Sequence, residues 1–184
     1  MPKSVFEDAC LRNATFEAHK DGVAKVVHSI FHNLDPKTNI SQGLFFAGFH
    51  ISGTGIAVTP PTDNAVLPAW RNTVMHVITG TEWTANSDWA TIKNSSLFVT
   101  EWMDVLREIA PDSGSYMSEG DLLEPNLQEA FYGINYPRLY ALKQKYDPTG
   151  LFFALTGVGA EDWEVQVTDP LPYSWNNNGR LCPV

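Results

Sequence analysis

Two histidines, His50 and His76, fall in runs that read as neighbouring strands. A pair of imidazoles facing one pocket could do acid–base work near neutrality; each could equally be a core or rim histidine that is simply hydrogen-bonded. Arg71, beside Trp70, offers a guanidinium to a carboxylate or enolate, or else lies at the surface. Tyr116 and Ser118 stand two apart in a run that reads as a strand, which turns both hydroxyls to one side. A phenol is a poor base at neutral pH unless its neighbours lower its pKa, and a packed tyrosine with a satisfied hydroxyl is the plain alternative. His28 and His32 have i, i+4 spacing on a helix, yet no third ligand with sensible spacing is visible, so no metal site is expected. The chain has no GxSxG elbow, HExxH, P-loop or CxxC pair, so hydrolase, metalloprotease and nucleotide-binding readings have no support.

The elements that must position these residues follow from periodicity. Val23, Val26, Val27, Ile30, Phe31 and Leu34 make one apolar stripe and predict a helix over His19 to Leu34, ended by Asp35-Pro36. Gly43 to Ile51 reads as a strand apolar on both faces, with Phe45, Ala47, Phe49 and Ile51 on one of them. A short strand is expected at Ile56 to Thr59 and another at Trp70 to Ile78. Phe98, Trp102, Val105, Leu106 and Ile109 predict a second long helix over Ser95 to Ile109. Ser115 to Glu119 reads as a short strand. A third helix follows Asn135, an excellent N-cap residue, with Pro137 tolerated in its first turn and Leu139, Leu142 and Tyr146 on its inner face. Leu151 to Trp163 is the last ordered piece expected. Strands cluster between helices without regular β-α-β alternation, which predicts an α+β fold: an antiparallel sheet covered by helices in one domain over residues 1–164, followed by an irregular tail over 165–184.

A formal charge of −9 with only 12 Lys+Arg argues against a nucleic-acid partner and against anionic membrane surfaces. No stretch reaches the roughly 18 apolar residues of a membrane span, and the N-terminus lacks the apolar core of a signal peptide, so a cytoplasmic location is expected. Sequons at Asn13, Asn39 and Asn94 hint at secretory ancestry. Cys10 and Cys182 could pair only if the termini meet.

Three motifs in series carry a resemblance. They are Gly114-Ser115-Tyr116-Met117-Ser118-Glu119, then Phe131 to Leu139 (FYGINYPRL), then Lys143 to Pro148 (KQKYDP). Together with Pro68-Ala69-Trp70-Arg71 and the 157–163 segment, they resemble the C-terminal, substrate-covering domain of berberine-bridge-type FAD-linked oxidoreductases, fungal type. The resemblance covers about Phe31 to Trp163. It implies that Tyr116 and Ser118 look into the active site, with Trp70, Arg71, Ser118 and Glu119 toward substrate. Asn135 and Tyr136 would lie toward the flavin if a flavin domain is supplied. Serine stands at 118 where the family has asparagine, which removes a bidentate amide. Arg138 is expected to pair with Glu119 or Glu129.

FAD is thus implied by the resemblance, while no Gly-rich segment here is placed to cradle a pyrophosphate, so no cofactor is expected in this chain alone. Three functions remain open: an oxidoreductase domain needing an FAD-binding partner chain, a cofactor-free cyclase or isomerase that keeps an aromatic pocket, and a non-catalytic module, with a homodimer through the former flavin face as a further arrangement.

Overall fold

The computed structural model describes residues 1–31, 43–50, 63–83, 85–166 and 179–184. They fall into two units: Met1–Pro60 with Ala69–Ser113, and Pro61–Pro68 with Gly114–Val184.

An aspartate starts each long helix of the first unit. After α1 (Lys3–Glu7), Asp8 accepts the Leu11 N–H at 2.9 Å and opens α2 (Ala9–Phe31). Asp88 accepts the Thr91 N–H at 2.8 Å and opens α3 (Trp89–Ile109), a bond that holds its carboxyl below the ordinary range. Both helices begin earlier than the apolar stripes predict, because a side-chain cap satisfies an orphan N–H without adding any apolar residue. Trp102, 4% exposed, packs onto Gly22 of α2. A Cβ at residue 22 would stand 2.0 Å from the indole, so α2 and α3 approach this closely only because that side chain is missing.

Both helices pack on a two-stranded antiparallel ladder, β1 (Gly43–His50) with β2 (Met75–Glu82), in register from Gly43↔Glu82 to His50↔Met75. The Phe45 ring covers Gly80 opposite it, where a Cβ would lie 2.4 Å away. The expected strand over Trp70 to Ile78 therefore starts only at Met75. Before it, Pro68–Asn72 forms a 3-10 turn closed by the Thr73 hydroxyl on the Ala69 carbonyl at 2.8 Å. The expected strand at Ile56 to Thr59 lies outside the described residues.

The second unit has little regular structure: α4 (Leu127–Tyr132), a 3-10 turn at Gly133–Asn135, α5 (Tyr136–Tyr146), and a second antiparallel ladder of β3 (Trp163–Gln166) with β4 (Arg180–Pro183). Three expectations are corrected here. Ser115 to Glu119 is a turn, because Ser115 N–H bonds the Ala130 carbonyl at 2.7 Å and Glu119 N–H the Tyr116 carbonyl at 2.9 Å, which leaves no ladder. Most of Leu151 to Trp163 is likewise turns, closing on β3. The tail holds β4. The fold is α+β.

Candidate functional site

In the first unit the chemistry gathers around His76. Its imidazole meets the Trp70 ring edge-on, centroids 5.1 Å apart at 78°, and the Phe49 ring at 6.4 Å and 41°. Register explains the company: Phe49 is the cross-strand partner of His76, so the two share a face of the ladder. Arg71, half-buried, follows Trp70 in the turn. The strands bearing the two histidines are neighbours, as expected, with His50 opposite Met75 and His76 opposite Phe49 in the ladder. Phe49 was the residue to find; alternation along the Gly43 to Ile51 run already marked it.

In the second unit Tyr116, Ser118 and Glu119 are exposed on a turn, Tyr116 by 48%. The strand alternation that was to put Tyr116 and Ser118 on one side does not operate there.

The motif residues of α4 and α5 instead build a clasp on the 147–162 segment. Tyr132 Oη lies 2.8 Å from the Thr156 carbonyl and 2.9 Å from Met117 Sδ. Tyr136 Oη donates between the two Glu161 oxygens at 2.5 and 2.6 Å and accepts the Gly159 N–H at 3.1 Å. Tyr140 Oη donates to Asp162 at 2.9 Å, with Gln144 on the same carboxylate and Gln128 on Glu161. Burial, then the Glu161 contact, pushes the Tyr136 phenol well up; burial followed by the Glu161 charge raises Tyr132; the Asp162 bond raises Tyr140. Lys143 pairs with Asp147, whose carboxylate also accepts the N–H groups of Leu151 and Phe152; the lysine bond, first among these, holds Asp147 low. These phenols are held protonated, so none is a base.

Asn135 stands at the N-cap position of α5 but makes no cap bond; its amide donates to the Val66 carbonyl at 2.9 Å. Arg138 pairs with Asp63, not with Glu119 or Glu129. The Asn135 amide and the Tyr136 hydroxyl thus both make hydrogen bonds inside the unit. An open depression of about 570 Å³ beside Tyr136 is lined by Leu127, Glu129, Ile134 and Pro137 among others, with no Lys or Arg for a pyrophosphate. The residues lining this depression offer no cation to the pyrophosphate of FAD. Among the described residues no cluster of His, Cys, Asp or Glu could hold a metal, and no helix is long and apolar enough to cross a membrane. Cys10 and Cys182 are both free thiols.

The described residues share an α+β fold with VAO-type flavoproteins. The chain aligns over its whole length with the crystal structure of the VAO-type flavoprotein MtVAO615 from Myceliophthora thermophila C1, at a TM-score of 0.70 and 24% identity, covering 29% of that chain. Residues 115–159 match the family "Berberine and berberine like". The FAD-linked oxidoreductase patO of Aspergillus clavatus is 37% identical over 149 residues, which is 80% of this chain and 24% of that protein. The bifunctional decalin synthase calF of Penicillium decumbens is 37% identical over 131 residues, 66% of this chain and 20% of that protein. The chain thus carries a berberine-like segment at residues 115–159 and is similar to part of fungal FAD-linked oxidoreductases. It spans about a quarter of the length of the curated relatives it matches.

Proposed function

We propose that this domain supplies the substrate side of an FAD-linked oxidoreductase, holding a small organic molecule against the ring cluster of Trp70, His76 and Phe49. The observation that carries it is the imidazole flanked by two aromatic rings on one sheet face. Such a cluster stacks an apolar ring and offers it a proton donor or acceptor. Arg71 would receive an anionic substituent; for Tyr116, Ser118 and Glu119 a substrate contact is implied by the family resemblance alone. Redox chemistry would come from FAD held outside these 184 residues, by a further part of the polypeptide or by a partner chain. A homodimer is the other arrangement that would enclose the substrate, and a net charge of −9 fits neither nucleic acid nor an anionic membrane as a partner.

The test is ligand binding followed by tryptophan fluorescence, with purified 184-residue chain and a panel of aromatic acids and phenols. Trp70→Ala should weaken binding about tenfold, the loss of about 1.4 kcal/mol of stacking, and His76→Ala should weaken it as well. Unchanged affinity in both variants, or stoichiometric FAD retained through purification, would overturn the reading.

The decalin synthase relative favours a second reading, a cofactor-free cyclase or isomerase, in which shape and orientation alone lower the barrier. Product mass separates the two. Oxidation removes two hydrogens from the substrate, whereas cyclisation by isomerisation leaves its mass unchanged. Conversion without flavin and without mass change would favour the second reading.

A further inference from the structure

The ladder face that carries the ring cluster continues past it. Phe45 and Phe49 stand four residues apart on β1, opposite Gly80 and His76 on β2. A side-chain period of two therefore puts all four positions on one face. Between the two pairs lie Ala47 and Ile78, opposite each other, a methyl and a branched aliphatic chain that are both shorter than a ring.

At the far end of this face the Phe45 phenyl lies down on the sheet. Gly80 has no side chain, and a Cβ there would stand 2.4 Å from Phe45 Cε1, 2.8 Å from Cζ and 3.3 Å from Cδ1. One edge of the ring thus occupies the space above its partner's backbone. The Thr79 hydroxyl donates to the Phe45 carbonyl at 2.9 Å and ties down the strand beneath. A ring laid over a strand glycine shields the backbone and pins register, which accounts for one side of the phenyl. The other side is open: Phe45 is 46% exposed, and Phe49 52%. Register needs one covered glycine, not two half-exposed phenyls on a single face, and apolar surface gathered in this way marks a binding face.

We propose that Phe45, seated on Gly80, is a second stacking platform of the same site, and that the site takes an elongated flat aromatic acid of about three fused rings. One end of such a molecule lies at Trp70, His76 and Phe49, with its carboxylate toward Arg71. The other end stacks on the open side of Phe45, about 13 Å from Phe49 at roughly 3.3 Å per residue of strand. Ala47 and Ile78 keep the space between the platforms low enough for a rigid ring system to bridge. This rests on the reading of the Trp70–His76 cluster as the substrate site and narrows its substrate class.

Calorimetry on the 184-residue chain tests it with two probes. Benzoate reaches only the ring cluster, whereas an anthracene carboxylate with its acid on an end ring reaches both platforms. The wild type should bind the three-ring acid at least about tenfold more tightly than benzoate, through one added aromatic contact and its buried area. Phe45→Ala should remove most of that advantage while benzoate stays within about twofold, since the two subsites are separate enough to act independently. Gly80→Ala keeps the phenyl but pushes it off the strand, and should act in the same direction. Phe45→Leu, which keeps apolar bulk without a flat face, should recover little of the advantage, and it is read in place of Gly80→Ala should that variant not fold. A three-ring advantage that survives in Phe45→Ala, or that the wild type lacks, overturns the second platform and leaves the ring cluster standing. Benzoate that does not bind the wild type, or binds Trp70→Ala equally well, removes the cluster itself and the substrate class with it.

Discussion

The two units are held together by different physics. In the first, α2 and α3 close on each other through an indole seated on a missing side chain, and a regular ladder lies against them. In the second, three phenols reach across to carboxylates and carbonyls of a loop with almost no regular structure. Apolar packing is non-directional and tolerates exchange among residues of similar size. A phenol–carboxylate bond has one geometry and one protonation state. That contrast teaches why the second unit is written in recognisable motifs and the first only in patterns: directional bonds fix residue identity, packing fixes residue class.

The sharpest way to break the contrast is Trp102→Ala. Emptying that site should destabilise the first unit by about 3–5 kcal/mol, read as lost hydrogen-exchange protection in residues 9–31 and 89–109. Protection unchanged there would remove the indole from its place at the centre of the packing.

Next in size is Tyr136→Phe, expected to cost about 1.5–3 kcal/mol, the range for a hydrogen bond to a charged partner. It also carries a pH signature. Folding raises this phenol above its ordinary value near 10, so its contribution is complete below pH 10 and fades as pH rises beyond it. Wild-type thermal stability should thus decline between pH 9.5 and 11.5, and Tyr136→Phe, less stable at pH 8, should decline less steeply. Parallel curves would show that the clasp is not what titrates; Tyr132, shifted the same way, contributes the remaining slope.

The smallest effect expected is Asp88→Ala, a slight loss of stability from the lost cap of α3, with fraying confined to exchange in residues 89–94. Below the ordinary carboxylate range the wild type should approach the variant, because this carboxyl is held low by its cap bond and loses that contribution when protonated.

Helix α5 shows how far the sequence could be followed. Its existence, its Pro137 and its stop at Asp147 were all legible, since each is settled within a few residues. Its inner face was not. The apolar stripe of Leu139, Leu142 and Tyr146 predicts the buried side, yet Leu142 is 41% and Tyr146 73% exposed. The face turned to the loop is Tyr136, Tyr140, Lys143 and Asp147. Hydrophobic periodicity assumes an apolar partner, and here the partner is a loop of carbonyls and carboxylates that selects side chains with polar tips. The ladder shows a different limit: adjacency of the two histidine-bearing strands was readable, but the register that sets Phe49 opposite His76 has no local signal.

Local chemistry in the chain itself determined the helix cores, the β1 run, the caps at Asp8 and Asp88, and the motif order that marks the family. Tertiary structure alone decided that Asn135 grips Val66 instead of capping its helix, that Arg138 finds Asp63, and that His76 keeps company with Trp70 and Phe49. The reason is distance along the chain. Backbone preferences and caps act over three or four residues, whereas the partners of Asn135 and Arg138 lie some 70 residues away and are chosen only when the folded chain brings them within reach.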